Sequence, residues 1–345
     1  MTELKKRENW VDYLKAVACM SVVMFHVIYG LQNAGLQCSP FFLMIKRISG
    51  TFQIPIFMFA SGYLYGKGSM LEDIHKYPKF LFRKLINLGV PYVIFSGVYY
   101  GVNISMSHSV NFTYTISDLL HIYDTPLAQY WYLFALLLLF IAVPLFEWVF
   151  ANEWLILSVF LAWKVINMFW ISKTNYDYYF AQYAMYFYMG TIYSRHHEEI
   201  AFGKQKQRSI YLPWVLSLCL LFSIEFYNWE ESMQAYALIE VLCACLGIYS
   251  LVGVFERYET KIGRKWLQAI AKYSFPIYLL HTIFTAAIRI ALKKVGIVWD
   301  VAQVSVGFVL GLAITWGIAW VMDQLRFPMI AFYPEKTIKQ WRNKN

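Results

Sequence analysis

The stretch "DYLKAVACMSVVMFH", residues 12–26, is the most informative segment for the architecture, because it combines a membrane-spanning composition with ionisable side chains. Asp12 and Lys15 stand near one end of this apolar run, and His26 stands at the other. In an α-helix, Lys15 and His26 differ by about 20° in azimuth and lie about 16 Å apart along the axis. Asp12 lies on the same side, three residues before Lys15. Contact with hydrocarbon would be costly for this stripe, so it indicates a polar cavity inside a helix bundle.

Lys15 and His26 each also have a simpler explanation. Lys15 could extend its ammonium group to the lipid headgroups, and His26 could be a hydrogen-bonded packing residue. The shared face, with Asp12 beside Lys15, favours the functional interpretation. A cation near the cytoplasmic surface can hold phosphate groups, and a neutral imidazole deeper in the membrane can act as a general base toward a hydroxyl. A separation of about 16 Å suits a long molecule such as coenzyme A, lying with its phosphates inward.

The composition supports a membrane protein over its whole length. The chain has 345 residues, of which 59% are hydrophobic and only 15% are charged, whereas soluble domains carry about 25% charged residues. We therefore predict an all-α membrane protein, residues 1–345, with about ten transmembrane helices and no appended soluble domain. The predicted segments are 10–31, 48–66, 89–106, 130–150, 154–171, 176–194, 209–227, 234–255, 269–292 and 301–325. Residues 75–88 are predicted to form an amphipathic helix on the membrane surface.

The distribution of basic residues predicts the orientation. If the N-terminus is cytoplasmic, the cytoplasmic connections contain 22 Lys and Arg residues and the outer connections contain 5. This bias follows the positive-inside rule and predicts that both termini are cytoplasmic. The net charge of +9 is thus explained by membrane lipids, and no nucleic-acid partner is predicted. The five cysteines form no CxxC motif or Cys/His cluster, so no metal site is predicted.

Several motifs, in order along the chain, resemble those of one known family. The first is the Asp12–Lys15–His26 pattern, and the second is "PIFMFASGYLYG", residues 55–66. The others are "FRKLINLGVPY" at 82–92, "YWYLFAL" at 130–136, "YFYMGTIYS" at 186–194 and "SFPIYLLHTIF" at 274–284. Together they resemble acyltransferase family 3, the polytopic bacterial membrane acyltransferases. Two positions depart from the family pattern: Lys15 replaces an Arg, and no Glu follows Trp131 until Glu147.

The resemblance implies an acetyl-CoA-dependent O-acyltransferase of the bacterial inner membrane. It would move an acyl group, expected to be acetyl, to a hydroxyl of a surface polysaccharide or a lipid-linked glycan. His26 would be the general base, with Asp12 also at the catalytic centre. The residues implied for acyl-CoA binding are Lys15, Arg83, Lys84 and Ser61, the last as a candidate oxyanion donor. The partners implied are acyl-CoA, a carbohydrate or glycolipid acceptor and membrane lipids, and the pattern is compatible with a homo-oligomer.

The acceptor is expected to contact Trp131, Tyr132 and His281. The two aromatic side chains could stack on sugar rings, or they could belong to the interfacial aromatic belt. His281 could line the cavity, or it could form an interhelical hydrogen bond near Pro276. Glu240 and Arg289 are either a mutual ion pair that ties two helices together or acceptor-site residues. A polysaccharide or lipid transporter remains the alternative function, although the sequence shows no sign of the inverted repeats common in transporters.

Overall fold

The structure is a computed structural model that describes residues 8–68, 74–169, 174–200, 211–226, 233–259, 265–325 and 328–342. Within these ranges all regular secondary structure is helical. The helices are α1 (Asn9–Asn33), α2 (Pro40–Gly66), α3 (Tyr77–Lys84), α4 (Val90–Ser105), α5 (Ile116–Leu120), α6 (Trp131–Val149), α7 (Glu153–Phe169), α8 (Asn175–Arg195), α9 (His197–Ile200), α10 (Tyr211–Phe226), α11 (Met233–Arg257), α12 (Lys265–Lys272), α13 (Ser274–Lys294), α14 (Asp300–Leu325) and α15 (Pro334–Arg342). The all-α prediction is confirmed for these residues.

Within the described residues, each of the ten predicted segments coincides with helical structure, and the ninth is divided at Tyr273 between α12 and α13. Six helical stretches in the described part of the chain are long and apolar enough to cross a membrane. They are Asn9–Asn33, Tyr77–Ser105, Ala128–Val149, Ala237–Arg257, Ser274–Lys294 and Asp300–Leu325. The second stretch joins α3 to α4 through a π-helical turn, Leu85–Gly89. The number of ten crossings and a surface position for residues 75–88 stay predictions.

The chain divides into two compact units. The first unit comprises Met1–Ser21, Gly50–Lys67 and Tyr186–Ser274, and the second comprises Val22–Ser49, Gly68–Met185 and Phe275–Asn345. Both units are assembled from segments that are distant in sequence, and α1 contributes residues to each of them. The single-domain organisation stays a prediction.

The first unit depends on a close approach between α2 and the last part of α8. A Cβ atom on Gly62 would lie 1.7 Å from the carbonyl oxygen of Phe187, and one on Gly190 would lie 2.0 Å from the carbonyl oxygen of Phe59. The Thr191 hydroxyl donates a hydrogen bond to the Gly62 carbonyl at 3.2 Å. Small residues at a helix crossing allow this backbone-to-backbone packing. The glycines of the "SG" and "MG" motifs therefore have a structural role.

The second unit contains a polar and aromatic cluster where α13 meets the start of α6. The Tyr130 hydroxyl donates to the Leu279 carbonyl at 3.0 Å, and the Gln129 amide donates to the same oxygen at 3.5 Å. In return, the Tyr278 hydroxyl donates to the Gln129 carbonyl. Ala128, one residue earlier, has a φ of 43°, which an L-residue rarely adopts. These buried hydrogen bonds hold the segment of α13 that carries His281.

Candidate active site

His26 of α1 and His281 of α13 face each other inside the second unit. Their ring centroids are 4.9 Å apart, with an interplanar angle of 58°. His281 is fully buried, whereas His26 keeps part of its surface accessible. The structure thus places a partly accessible imidazole in contact with a buried one. The sequence predicted both residues as site residues, and the fold brings them together.

The hydrogen bonds of His281 define which of its ring nitrogens carries the proton. Its Nδ1 atom lies 2.7 Å from the Tyr278 carbonyl oxygen and 3.2 Å from the Ile277 carbonyl oxygen. Carbonyl oxygens only accept hydrogen bonds, so Nδ1 must donate. In the neutral ring, Nε2 then has a free lone pair, and this atom is buried without a hydrogen-bond partner among the described residues. A buried, unpaired acceptor is costly, as expected for a nitrogen that gains a hydrogen-bond donor only during a reaction.

The partners of His26 are aromatic. Its ring makes edge-type contacts with Phe25, at 5.4 Å between centroids, and with Tyr29, at 6.4 Å. No hydrogen bond from its ring to another described residue is present, so the described residues leave both neutral tautomers of His26 open. Either ring nitrogen of a neutral imidazole can therefore serve as the acceptor.

Trp131 and Tyr132 begin α6 in the same unit as the histidine pair. The Trp131 ring stacks on Tyr179, with centroids 5.5 Å apart and an interplanar angle of 6°, and on Tyr183 at 5.3 Å and 21°. Tyr132 is buried and contacts the Tyr278 ring edge-to-face at 5.3 Å. Tyr132 therefore packs against the residue that precedes His281 by three positions. A role for either side chain in sugar binding stays a prediction.

Arg83 and Lys84 already have partners within the second unit. Arg83 Nε lies 2.9 Å from a carboxylate oxygen of Glu335, on α15. The Lys84 ammonium lies 3.7 Å from the centroid of the Phe140 ring and 5.3 Å from that of Phe80, within cation–π range. The Arg83 side chain remains 56% exposed, so it can still reach a ligand. Binding of acyl-CoA phosphates by either residue stays a prediction.

Asp12, Lys15 and Ser61 belong to the first unit, and all three are partly accessible. Asp12 and Lys15 lie in the first turns of α1, and Ser61 precedes the tightly packed Gly62 on α2. Beside them in this unit, the Tyr63 hydroxyl donates to a carboxylate oxygen of Glu8 at 2.8 Å, and Lys67 forms an ion pair with the same carboxylate. The catalytic role of Asp12 and the acyl-CoA contacts of Lys15 and Ser61 stay predictions.

Gly30 and Asn111 are not among the site residues predicted from the amino-acid sequence. Asn111 donates its side-chain N–H to the Gly30 carbonyl at 3.2 Å and accepts from Arg289 Nη2 at 3.3 Å. Asn111 lies in a polar loop, and Gly30 lies in an apolar helix. Their joint contact with Arg289 depends on tertiary packing, so no local pattern signals it.

In the described part of the chain, no group of three or more His, Cys, Asp and Glu residues has an arrangement that could hold a metal ion. The arrangement in the second unit is instead a pair of imidazoles in contact. Such a pair can accept a proton from a bound hydroxyl group and then donate it to a leaving group. It provides chemistry for group transfer to oxygen.

Comparison with known proteins agrees with this chemistry. The family model described as "Acyltransferase domain" matches residues 8–322. No curated protein and no solved structure matches the chain significantly. The match includes His26, His281 and all the motifs quoted above, and it covers nearly the whole chain. The chain therefore belongs to acyltransferase family 3, a family of membrane acyltransferases.

Proposed function

We propose that this protein transfers an acyl group, and specifically acetyl, from acyl-CoA to a hydroxyl of a carbohydrate. The acceptor would be a surface polysaccharide or a lipid-linked glycan. The observation that carries the proposal is the contact between a partly accessible His26 and a buried His281 whose Nε2 lone pair has no partner among the described residues. Membership of a membrane acyltransferase family supplies the reaction type.

The proposed reaction is a direct acyl transfer. His26 accepts the proton of the acceptor hydroxyl as its oxygen attacks the thioester carbonyl carbon. The C–O bond forms, the C–S bond breaks, and the proton passes from the His26 imidazolium to the departing CoA sulfur, giving an ester and free CoA. The Nε2 lone pair of His281 stabilises the transient imidazolium on His26, because a buried charge needs a nearby acceptor. Ser61 is the proposed donor to the oxyanion. Asp12, about 21 Å from His26 along α1, is proposed to act at the Lys15 end of the site.

The donor is proposed to enter from the cytoplasm. Lys15, Arg83 and Lys84 are the proposed contacts for the CoA phosphates, and Trp131 and Tyr132 are those for the acceptor. The orientation rests on the excess of basic residues in the predicted cytoplasmic connections, 22 against 5. We propose ten crossings of the bacterial inner membrane, cytoplasmic termini, and a surface helix at residues 75–88.

The test measures radiolabelled acetyl-CoA binding and slow hydrolysis by the full chain in nanodiscs. His26→Ala should lower turnover by a factor of about 10² to 10⁴, the usual contribution of a general base, with normal insertion and little change in acetyl-CoA affinity. His108→Ala is the matched control, because His108 lies in an exposed loop of the same unit. Turnover that survives in His26→Ala would exclude the mechanism.

The transporter alternative makes a different prediction for the same samples. A transporter would neither bind nor cleave acetyl-CoA, and wild type and His26→Ala would behave alike. That result, together with glycolipid movement across liposomes without acyl-CoA, would replace the acyltransferase proposal.

A further inference from the structure

Arg289 is a charged residue inside α13, one of the six helices able to cross a membrane in the described part of the chain. Its side chain is only 9% exposed. A guanidinium in such a position is costly unless an anion or several acceptors surround it. Its partner among the described residues is the neutral amide of Asn111, at 3.3 Å. Within the described residues of the second unit, no carboxylate lies within ion-pair distance of Arg289.

The surroundings of Arg289 hold the guanidinium in a defined position. Asn111 links it to the Gly30 carbonyl of α1, through a second hydrogen bond of 3.2 Å. A Cβ atom at Gly30 would lie 2.4 Å from Arg289 Nη1, so the glycine makes room for the guanidinium. Tyr99 of α4 lies near the guanidinium. A guanidinium has more N–H donors than one amide can use, and its planar fork matches the two oxygens of a carboxylate or a phosphate.

This cluster lies beyond the histidine pair in the direction of the C-terminal ends of α1 and α13. Gly30 follows His26 by one helical turn, about 6 Å along the axis and on the same face. Arg289 follows His281 by eight residues, about 12 Å along its helix, and its long side chain reaches Gly30. The guanidinium therefore lies about 6 to 12 Å from the histidine pair along the helix axes. This distance is on the scale of one or two sugar units. One ligand can thus contact both His26 and Arg289.

We infer that Arg289, positioned by Asn111 and Gly30, binds an anionic group of the acyl acceptor, either a carboxylate on a sugar or a phosphate on a lipid-linked glycan. The identity of this ligand as the acceptor rests on the proposed function, whereas the preference for an anion does not. Arg289 anchors the acceptor through its charge, and the hydroxyl to be acylated then lies at His26. The site therefore selects acidic acceptors over neutral ones of the same shape.

The experiment uses the full chain in phosphatidylcholine nanodiscs and two matched pairs of probes. Methyl β-glucuronide is compared with methyl β-glucoside, and dihexanoyl phosphatidic acid with dihexanoyl phosphatidylcholine. Wild type should bind the anionic member of at least one pair about tenfold or more tightly, since a charge-assisted pair contributes about that factor. A preference confined to the sugar pair indicates an acidic sugar, and one confined to the lipid pair indicates a phosphate.

Three variants separate the role of the charge from general stability. Arg289→Gln should bring the affinity ratio of the preferred pair close to one. Asn111→Asp, in an exposed loop position, should have the same effect because it supplies a carboxylate that occupies the guanidinium. The control Lys293→Gln, which removes an exposed charge on the same helix, should keep the preference.

The inference is overturned if wild type binds none of the probes, if it binds both members of each pair equally, or if Arg289→Gln retains the preference. Acetyl-CoA binding is measured on the same samples to separate the two proposals. An anion preference without acetyl-CoA binding would contradict the proposed function and leave the anion site standing. Acetyl-CoA turnover with no anion preference would contradict the anion site alone.

Discussion

The imidazole rings of His26 and His281 lie 4.9 Å apart, although one belongs to the first helix of the chain and the other to α13. The two residues differ in their constraints. His281 is held by two backbone carbonyls through Nδ1, whereas His26 is partly accessible and makes no hydrogen bond to another described residue. This asymmetry is the basis of our proposal that His26 contacts the substrate and that His281 has a positioning role.

Replacement of His281 by asparagine separates its two ring nitrogens. The Asn side-chain N–H occupies nearly the position of Nδ1–H and can still donate to the Tyr278 carbonyl, but nothing replaces the Nε2 lone pair. We expect His281→Asn to melt within a few degrees of wild type, to keep its acetyl-CoA affinity and to lose about tenfold to hundredfold in turnover. Thermal unfolding and turnover are measured on the same nanodisc samples. Turnover equal to that of wild type would show that the lone pair is not used.

Substitution of Lys15 tests its proposed contact with the phosphates of acetyl-CoA. Lys15→Ala should weaken acetyl-CoA binding by about tenfold, because one charge-assisted contact to phosphate is lost. Lys15→Arg should keep the affinity, since it retains the charge and adds a bidentate fork. Titration with acetyl-CoA and with dephospho-acetyl-CoA identifies the contact: a lysine bound to the 3′-phosphate would make the alanine variant insensitive to its removal. Equal affinities for all three proteins would contradict a role for Lys15 in binding.

Gly62 and Gly190 test the packing of the first unit. A methyl group at Gly62 would lie 1.7 Å from a backbone oxygen that cannot move independently of its helix. We expect Gly62→Ala and Gly190→Ala each to lower the free energy of unfolding by about 3 kcal/mol or more. Gly97→Ala is the control, because a Cβ atom there meets nothing within 4 Å, and its helix should gain stability by about 1 kcal/mol. Thermal unfolding in detergent measures all three, and a Gly62→Ala variant as stable as wild type would contradict the close approach.

The attachment of α15 should depend on pH through Glu335. Hydrogen bonds from Lys339, Asn87 and Arg83 lower the pKa of this carboxyl to about 2. A carboxyl group whose pKa is lower in the folded state stabilises the fold above its unfolded pKa, near 4.5, and this contribution disappears as the pH falls through about 2. After correction for the intrinsic exchange rate, the protection of residues 334–342 against hydrogen exchange should therefore be high at pH 5 and fall toward pH 2.

Glu335→Gln provides the control for this pH dependence. The amide cannot ionise, so the exchange of α15 in this variant should be faster at pH 5 and should change little between pH 5 and pH 2 after correction for the intrinsic exchange rate. A wild type with the same flat profile would show that the ion pair between Glu335 and Arg83 does not hold α15.

The helical membrane character, the family, and the choice of His26 and His281 as candidate site residues could be predicted from the amino-acid sequence. These features follow from periodicity, composition and the order of motifs. All three are properties of the linear sequence and do not depend on which helices pack together. The meeting of His281 with His26, the pairing of Glu335 with Arg83, and the enclosure of Arg289 by Asn111 and Gly30 emerge from the three-dimensional packing alone. Such contacts depend on which helix faces fit together and which polar groups remain to be paired after burial. Residues far apart in the chain make that choice jointly, so no single segment encodes it.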